Sequence, residues 1–414
     1  MSNMTRIYKK RIHGKTLRQD KISISLISWI LWVIFFLFAA ATHVKADCGV
    51  PVKMVKADSL PRMTDFSLSS LEQGVQASLT YYHRLPGDRK FQVCNKTLTA
   101  AEQIHALENF LTVVRRSRTP AELWTKVTEQ FDFCRPANTK LLVTGYYEPV
   151  FNGSLQKNET YSYPLYSLPP DLIVRSQDNK KRVGRLENGS FVPYFRRQEI
   201  EKKNLLAGQE LIYLSDPFEV FLLHIQGSGR IRLEDGSTRL VRYGGSNGRK
   251  YTSIGKVLVD RGKLSLADID MEAIRRYLRR HPKEMEEILH KNDRFIFFSM
   301  SEADEESAAV APPGSLGRPL TPGHSIALDQ HCYPAGALAF LVTDYPLVDE
   351  KGGVKGWTDL ARFVLNQDSG SAIKGLRRVD LFLGSGDEAE FAAGMMKQSG
   401  RLYFLVEKTG KEEK

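Results

Sequence analysis

The pattern of apolar and polar positions predicts helices first and short strands afterwards. Thr99 to Glu102 forms a capping box, and apolar residues then recur at helical spacing up to Val114. A second helix start, with proline at its first position, follows at Thr119. Lys140 to Val150 is typical of a strand that enters a turn. The pattern therefore predicts two short helices that cover a β structure.

Beyond Val150 the chain alternates short apolar runs with Gly, Asn and Pro, which is the pattern of a small β-barrel or sandwich. One helical insert begins at Met271, restarts at Pro282 and ends near Lys291. Ser301 to Gly323 is polar and rich in Gly and Pro, as in a linker or lid. The predicted β runs are Phe218 to Ile225, Gly229 to Leu233, Ser237 to Tyr243, Arg294 to Phe298, Ser325 to Leu328, Ala337 to Thr343 and Arg401 to Val406.

The N-terminus has the features of an export signal. Residues 1–46 contain eight basic residues and one acidic residue, and Ile22 to Ala41 is uncharged and just long enough to cross a bilayer. Small residues before Asp47 also fit a cleavage site. A lipoprotein signal needs a small residue directly before the modified cysteine, and Asp47 precedes Cys48 instead. We predict a cleaved signal peptide or a retained signal anchor, and export in either case.

Length and charge narrow the function classes. The 414 residues have an ordinary globular composition, 42% hydrophobic and 26% charged, which allows two or three domains. The formal net charge is +11, but without residues 1–46 it falls to +4. The remainder shows no basic stripe interleaved with aromatic residues. Nucleic acid is therefore not an expected partner.

The cysteines indicate disulfides and not metal ligands. The four are Cys48, Cys94, Cys134 and Cys332. An oxidising compartment permits bridges, and the sequence leaves the pairing open. A bridge between Cys94 and Cys134, which flank the helical pair, is one prediction. There is no CxxC or HExxH pattern, so neither a zinc site nor another cofactor is expected.

Three glycine-bearing clusters each allow a structural and a functional interpretation. His224 to Arg230 fits a hairpin or a binding loop. Gly244 to Gly248 matches the G-x-S-x-G pattern with Ser246 as nucleophile, yet the doubly wound context of such an elbow is missing, so a turn is favoured. In Asp368 to Gly384, two carboxylates bracket a glycine-rich loop, and aspartate at a turn often only caps amides. Composition does not decide among these interpretations.

Five motifs that occur in one order carry a family resemblance: Gly145 to Pro149, Gln226 to Gly229, Asn247 to Lys256, Gly314 to Gly323, and Asp368 to Asp380. From about Leu141 to Val406, the chain closely resembles the membrane-bound lytic murein transglycosylase A family, including its three-aspartate domain. Any one motif would be weak evidence, and five in order are specific.

The resemblance implies a mainly β fold. Its core is a double-psi β-barrel built from two chain segments, with a smaller β domain inserted between them and short helices at the flank. We predict a signal region at 1–46, a first barrel segment at 47–150, the insert at 151–299 and the second barrel segment at 300–414. A groove is expected where barrel and insert meet.

The resemblance also implies an activity and its residues. The reaction cleaves the β-1,4 bond between N-acetylmuramic acid and N-acetylglucosamine in peptidoglycan and forms 1,6-anhydromuramyl ends without water. Asp380 corresponds to the acid/base, with Asp368 as its neighbour and Asp329 as more remote support. The residues assigned to sugar binding are Tyr146, Tyr147, Glu148, Gln226, Gly227 and Ser228.

The expected partners follow from that activity. They are peptidoglycan glycan strands, other cell-wall enzymes and, if the signal is uncleaved, a membrane through the N-terminal anchor. The implied location is the periplasm, in association with the outer membrane. Two other functions remain open, namely a serine hydrolase that uses Ser246 and a non-catalytic murein-binding protein.

Overall fold

A computed structural model gives the architecture of most of the chain. It describes residues 48, 51–64, 68–137, 140–177, 180–266, 269, 271–303, 311–348, 354–370 and 372–408. The predicted signal peptide or anchor at 1–46 lies outside these residues. In the described part of the chain, every helix is too short or too polar to span a bilayer.

The described elements are strands with a minority of short helices. The helices are α1 (Leu68–Tyr82), α2 (Ala100–Arg115), α3 (Pro120–Gln130), α4 (Arg197–Lys202), α5 (Pro217–Gln226), α6 (Ile254–Asp260), α7 (Met271–Arg280), α8 (Pro282–Leu289) and α9 (Asp387–Met395). The strands are β1 (Val52–Val55), β2 (Lys90–Val93), β3 (Lys96–Thr99), β4 (Phe131–Pro136), β5 (Leu141–Glu148), β6 (Val150–Ser154), β7 (Tyr163–Tyr166), β8 (Ile173–Gln177), β9 (Lys180–Glu187), β10 (Ser190–Pro193), β11 (Glu210–Leu214), β12 (Gly229–Arg232), β13 (Thr238–Ser246), β14 (Ile296–Ala303), β15 (Ser325–Ala327), β16 (Leu338–Val348), β17 (Val354–Asp368), β18 (Arg378–Ser385) and β19 (Lys397–Glu407).

Six strands close into a barrel. In order around the ring they are β5, β18, β15, β17, β16 and β19, and β19 pairs back with β5. Two of the pairs, β18 with β5 and β15 with β17, are parallel, and the other four are antiparallel. One barrel strand precedes the insert in sequence and five follow it. The predicted mainly β fold, with a barrel made from two chain segments, is confirmed.

A second, six-stranded sheet lies between the two barrel segments in sequence. Its order is β14, β13, β12, β6, β11 and β7, and a smaller sheet of β8, β9 and β10 accompanies it. Its core buries apolar side chains from strands and from α5 to α8, including Phe221, Ile231 and Leu278. The boundaries 151–299 for this inserted domain remain our proposal.

The predicted β run Phe218 to Ile225 is wrong, because this segment lies within α5. The Asp216 side chain caps the helix by accepting a hydrogen bond from Phe218 N, and Pro217 occupies the first turn. Most of the helix is buried, so apolar residues occur all round it and the helical period is hidden. A buried apolar run of this length looks the same in a helix and in a strand.

The predicted helices after Thr99 and Thr119 are confirmed and cover one side of the barrel. Thr99 and Glu102 form the capping box at the start of α2. Phe110 of α2 and Trp124 of α3 both pack against Phe363 of β17. Full burial of a phenylalanine side chain such as Phe110 contributes about 1.5–3 kcal/mol relative to exposure. The helices therefore fix the outer face of the strand that ends at Asp368.

Two disulfides join parts of the described chain that are distant in sequence. Cys94 pairs with Cys134, as predicted, with 5.9 Å between their Cα atoms. Cys48 pairs with Cys332 over a separation of 284 residues. Cys332 lies three residues after Asp329, so the second bridge tethers the segment that follows this aspartate.

Candidate active site

Strand register brings two of the predicted aspartates into one row. Ala327 of β15 pairs with Asp368 of β17 on one side and with Asp380 of β18 on the other. Asp380 also pairs with Thr144 of β5. Residues paired across neighbouring strands point to the same face, and two strand spacings are about 10 Å. The row therefore presents Asp368 and Asp380 together on one side of the barrel wall.

Asp380 has one occupied and one open carboxylate oxygen. The Thr144 hydroxyl donates to Asp380 Oδ1 at 2.7 Å, and no described residue donates to Oδ2. The side chain is partly exposed. Burial of the carboxyl raises its pKa to about 6, against the lowering effects of Thr144 and Arg378 and with a further rise from Asp368. The group can therefore hold or release a proton near neutral pH.

Asp368 is held by three donors. The Tyr146 hydroxyl donates to Oδ2 at 2.9 Å, and the amides of Ser315 and Ser369 donate to Oδ1 at 2.9 and 2.8 Å. Burial raises the pKa of this carboxyl, although the three hydrogen bonds oppose the rise. Both oxygens are engaged, so Asp368 is fixed in place.

Asp329 is buried and serves the loop between the other two aspartates. Gly375 N donates to its Oδ2 at 2.8 Å, and the backbone and ring nitrogens of His331 lie 3.1 and 3.0 Å from Oδ1. Burial alone would raise the pKa of Asp329, but the hydrogen bonds from Gly375 and His331 outweigh it and hold the pKa below its usual value. Asp329 thus anchors the Gly375 turn.

Tyr146 links the first predicted motif to the aspartates. Its hydroxyl binds Asp368, and its ring lies 5.2 Å from that of Phe382. Burial, together with the negative charges of Asp368 and Asp380, raises the pKa of Tyr146 well above its usual value. The hydroxyl therefore remains a hydrogen-bond donor throughout the physiological range.

Tyr147 and Glu148 lie away from this row of aspartates. Tyr147 is buried against Ala389 and Ala393 of α9. Glu148 has no exposed side-chain surface, and its two oxygens bind Arg230 Nε at 2.7 Å and Arg242 at 2.6 Å. Both arginines belong to strands of the second sheet. Glu148 therefore ties the end of β5 to that sheet, and its sugar-binding role remains a prediction.

The segment Gln226-Gly227-Ser228 is the C-terminal turn of α5. Gly227 adopts φ +79°, which favours glycine, and its amide donates to Leu223 O at 2.7 Å. The hairpin interpretation is therefore wrong. Arg230 N donates to Pro149 O at 2.9 Å directly after this turn. The second motif thus lies against the end of the first, which sequence order alone does not reveal.

Sequence reasoning missed Thr144, Arg378 and Ser315 as site residues. Thr144 directly precedes the Gly145 to Pro149 motif, and Ser315 lies inside the quoted Gly314 to Gly323 motif. Arg378 precedes Asp380 by two residues on one strand, so both side chains are on the same face. The alternation of side chains along the strand could therefore have predicted that Arg378 lies near Asp380. The pairing of Thr144 with Asp380 depends on register between strands more than 230 residues apart.

The serine-nucleophile geometry is not present around Ser246. Ser246 ends β13 and pairs with Ile296 of β14 in an antiparallel ladder, not at a strand-to-helix elbow. Its hydroxyl accepts Gly248 N at 3.4 Å, and no histidine of the described chain binds it. The Asn247 side chain is buried and bonds to four backbone groups, those of Phe195, Arg249, Asp293 and Phe295. Gly244 to Ser246 are therefore the end of strand β13, so the favoured turn is wrong as well, because Gly245 and Ser246 pair with β14.

Two protein-family models match this chain, one over the inserted domain and one over the segment with the three aspartates. A model described as "MltA specific insert domain" matches residues 142–299, and a model described as "3D domain" matches residues 324–406. The first match contains Thr144 and Tyr146. The second contains all three aspartates.

Individual proteins agree with the family models. The chain is 34% identical over 265 residues to the membrane-bound lytic murein transglycosylase A of Escherichia coli K12, which covers 63% of this chain and 64% of that relative. The match thus spans just under two thirds of the relative's length.

Solved structures extend the similarity over most of the chain. The lytic transglycosylase LtgG of Burkholderia pseudomallei is 32% identical, with a TM-score of 0.51 over 87% of this chain and 98% of that one. E. coli MltA with bound chitohexaose is 25% identical, with a TM-score of 0.67 over 87% and 95%. From the two family models, the relatives and the fold together, the chain belongs to the membrane-bound lytic murein transglycosylase A family.

Proposed function

We propose that the protein is a lytic transglycosylase that cleaves the β-1,4 bond between N-acetylmuramic acid and N-acetylglucosamine in peptidoglycan and leaves 1,6-anhydromuramyl ends. One observation carries this proposal. Of the three aspartates, Asp329 and Asp368 have both oxygens engaged by donors, whereas Asp380 keeps one oxygen open and has a pKa of about 6. A single proton-exchanging carboxyl is what this reaction requires.

The first step uses Asp380 as an acid. Its protonated carboxyl donates to the glycosidic oxygen, which becomes the hydroxyl of the departing N-acetylglucosamine, while positive charge develops at the muramyl C1. A pKa near 6 leaves a useful fraction of the acid form at neutral pH. General acid catalysis of this kind is worth about 10²–10⁴-fold in rate.

The second step uses the same group as a base. The carboxylate formed at Asp380 removes the proton of the muramyl C6 hydroxyl as that oxygen bonds to C1, so Asp380 returns to its acid form and no water is consumed. Ordinary glycosidases need a second carboxylate as nucleophile or base. Asp368 is held by three donors and is poorly placed for that role. Because the muramyl C6 hydroxyl is itself the nucleophile, the reaction needs no second carboxylate.

The remaining predicted residues have supporting roles in this proposal. Asp368 raises the pKa of Asp380 through its negative charge, and Asp329 positions the loop between them through Gly375. Tyr146 and the turn Gln226-Gly227-Ser228 bind sugar, supported by their partial exposure and by the contact between the first two motifs. Tyr147 and Glu148 are both buried, and their role in sugar binding stays a prediction from the resemblance.

The cellular setting is part of the same proposal. An envelope location is supported by the relatives' name, membrane-bound lytic murein transglycosylase A. Export to the periplasm, with an outer-membrane association or a membrane anchor, rests on the apolar run Ile22 to Ala41. Glycan strands of peptidoglycan are the proposed partner, together with other cell-wall enzymes.

Mass spectrometry of purified sacculi digested with the protein tests the function. We expect products that end in 1,6-anhydromuramic acid, at 18 mass units below the hydrolysed equivalents because no water is added. Ser246→Ala should give the same products at a similar rate. Deacylated or peptide-cleaved products that disappear in Ser246→Ala would favour a serine hydrolase. Unchanged sacculi that retain the protein would favour a non-catalytic murein-binding role.

A further inference from the structure

A chain of hydrogen bonds leads from Arg378 to the proposed acid/base. Arg378 donates through one terminal guanidinium nitrogen to Thr144 Oγ1 at 3.4 Å, and Thr144 Oγ1 donates to Asp380 Oδ1 at 2.7 Å. Both links cross the parallel pair of β5 and β18. The chain is short, and every member is fixed by strand register.

The direction of this chain is determined by chemistry. A guanidinium carries only donors, so Arg378 can act on the Thr144 hydroxyl only as a donor. The single hydroxyl proton of Thr144 is then free for an acceptor. Two acceptors are in range, Val379 O at 3.5 Å and Asp380 Oδ1 at 2.7 Å, and the shorter distance and the charged acceptor favour Asp380.

The occupied oxygen determines where the acidic proton resides. A hydroxyl donor prefers the unprotonated oxygen of a carboxylic acid, so a donor on Oδ1 leaves the proton to Oδ2. Oδ2 is the oxygen that receives no hydrogen bond from the described residues, and the side chain is partly exposed. The proton is therefore kept on the open side of the carboxyl.

We infer that Arg378 and Thr144 are positioning residues that hold the proton of Asp380 on Oδ2, so that the same oxygen gives the proton to the leaving sugar and takes it back from the C6 hydroxyl. The inference rests on the proposed function. It goes beyond it by giving a role to two residues to which the resemblance assigns none: Arg378 lies within the quoted Asp368 to Asp380 motif, and Thr144 directly precedes the Gly145 to Pro149 motif.

Arg378 is not fully satisfied by structural contacts. Its Nε is buried without a hydrogen-bond partner among the described residues, an arrangement that ordinary packing disfavours. Its charge lowers the pKa of Asp380, as does the Thr144 hydrogen bond. The charged and titratable groups around this pair are Asp368 at the end of β17, Tyr146 on β5, Tyr251 of the insert beside Arg378, and exposed Lys397 opposite Thr144 on β19.

The test compares pH–rate profiles of anhydro-product formation by the full chain. Arg378→Met removes the donor and the charge and should lower kcat about tenfold, with the alkaline limb moved to higher pH because the acid pKa rises. Arg377→Met removes the same charge from the exposed neighbouring position, and it should leave kcat and the alkaline limb of the profile unchanged. Thr144→Val should lower kcat similarly, and Thr144→Ser should restore it.

A double variant shows whether Arg378 and Thr144 act through one chain of hydrogen bonds or affect kcat independently. In the Thr144→Val background, Arg378→Met should cause little further loss of kcat, because the proton-directing link is already broken. Additive losses, or an alkaline limb that stays at its wild-type pH in Arg378→Met, would overturn the inference.

A second measurement distinguishes failure of the inference from failure of the proposed function. The Asp380 carboxyl is titrated by ¹³C NMR in wild type and Arg378→Met, which needs no turnover. An upward pKa shift in the variant supports the link even if the wild type makes no anhydro ends, in which case the function fails alone. If the wild type is active and the titration is unchanged by Arg378→Met, only the inference fails.

Discussion

Two carboxylates on neighbouring strands of this protein have opposite surroundings. Glu148, at the end of β5, has no exposed side-chain surface and binds one arginine through each oxygen. Asp380, on β18, has a hydroxyl on one oxygen and no described donor on the other. The first carboxylate joins the barrel to the inserted sheet. The second lies in the row of aspartates.

The difference shows that the number of donors and cations around a carboxylate distinguishes a structural carboxylate from a reactive one. A desolvated carboxylate is costly unless donors or cations compensate it, and Glu148 is held in place by two close arginines. Asp380 is desolvated with weak compensation, so its proton affinity rises to the range in which it can exchange protons. A desolvated acid with too few hydrogen-bond partners is therefore the better candidate for catalysis.

Asp380→Asn should have the largest effect, because it removes the proton exchange and keeps the shape. We expect the rate of anhydro-product formation to fall at least about 10²–10⁴-fold while binding to sacculi is retained. The matched control is Asp359→Asn, the same change at an exposed position of β17, which should keep wild-type turnover. Near-normal turnover by Asp380→Asn would contradict the assignment of the acid/base.

Glu148→Gln should instead affect stability. The substitution leaves Arg230 and Arg242 without their counter-charge in a buried setting, and breaking such a pair costs about 3–5 kcal/mol. Glu302→Gln removes an ion pair of similar length to Arg239, but Glu302 is 80% exposed, so we expect less than about 1 kcal/mol. Chemical denaturation measures both. Equal losses in the two variants would show that burial of Glu148 is not decisive.

Local signals in the sequence predicted local structure well. The Thr99 to Glu102 box and Pro120 specified the starts of two helices, because a cap is satisfied within a few residues. The apolar run that follows Arg401 and ends at Val406 likewise predicted β19. The aspartates that bracket a glycine-rich loop became site candidates only through the family resemblance, because an aspartate at a turn often only caps amides.

The features that the sequence could not predict are long-range. The closure of the barrel by β19 on β5, and the Thr144 to Asp380 contact across 236 positions, depend on strand register. The Cys48 to Cys332 bridge is also long-range, since its partners are separated by 284 residues. Phe218 to Ile225 was misassigned for a different reason, because complete burial removes the period that distinguishes a helix from a strand.

Tyr146→Phe removes one hydrogen-bond donor from Asp368 and tests whether the donors that hold this aspartate are needed for turnover. Hydrogen bonds to charged groups contribute about 1.5–3 kcal/mol, so we expect a loss in kcat of about tenfold or more, with little change in stability. Tyr213→Phe, a change on β11 of the inserted sheet, should be neutral. If Tyr146→Phe reduced only the melting temperature, the tyrosine would be a packing residue.

The smallest expected effect is a pH-dependent gain in stability for Asp380→Asn. The pKa of Asp380 is about 6 in the folded protein and about 3.9 in an unfolded chain, so the folded state favours the neutral acid. Wild type therefore loses stability from this group as pH rises from about 4 through 6, whereas asparagine does not ionise. Since the side chain is partly exposed, solvent reduces the effect to about 1 kcal/mol.

Thermal melting of both proteins from pH 4 to pH 8 measures this gain. The difference in melting temperature should be near zero at pH 4, grow through pH 5 to 6 and level off above pH 7, reaching a few degrees. Asp359→Asn should show no such growth, because its carboxylate is exposed. A difference that stays constant with pH would mean that the Asp380 carboxyl is no more desolvated than a surface acid. The contrast with Glu148 would then rest on ion pairing alone.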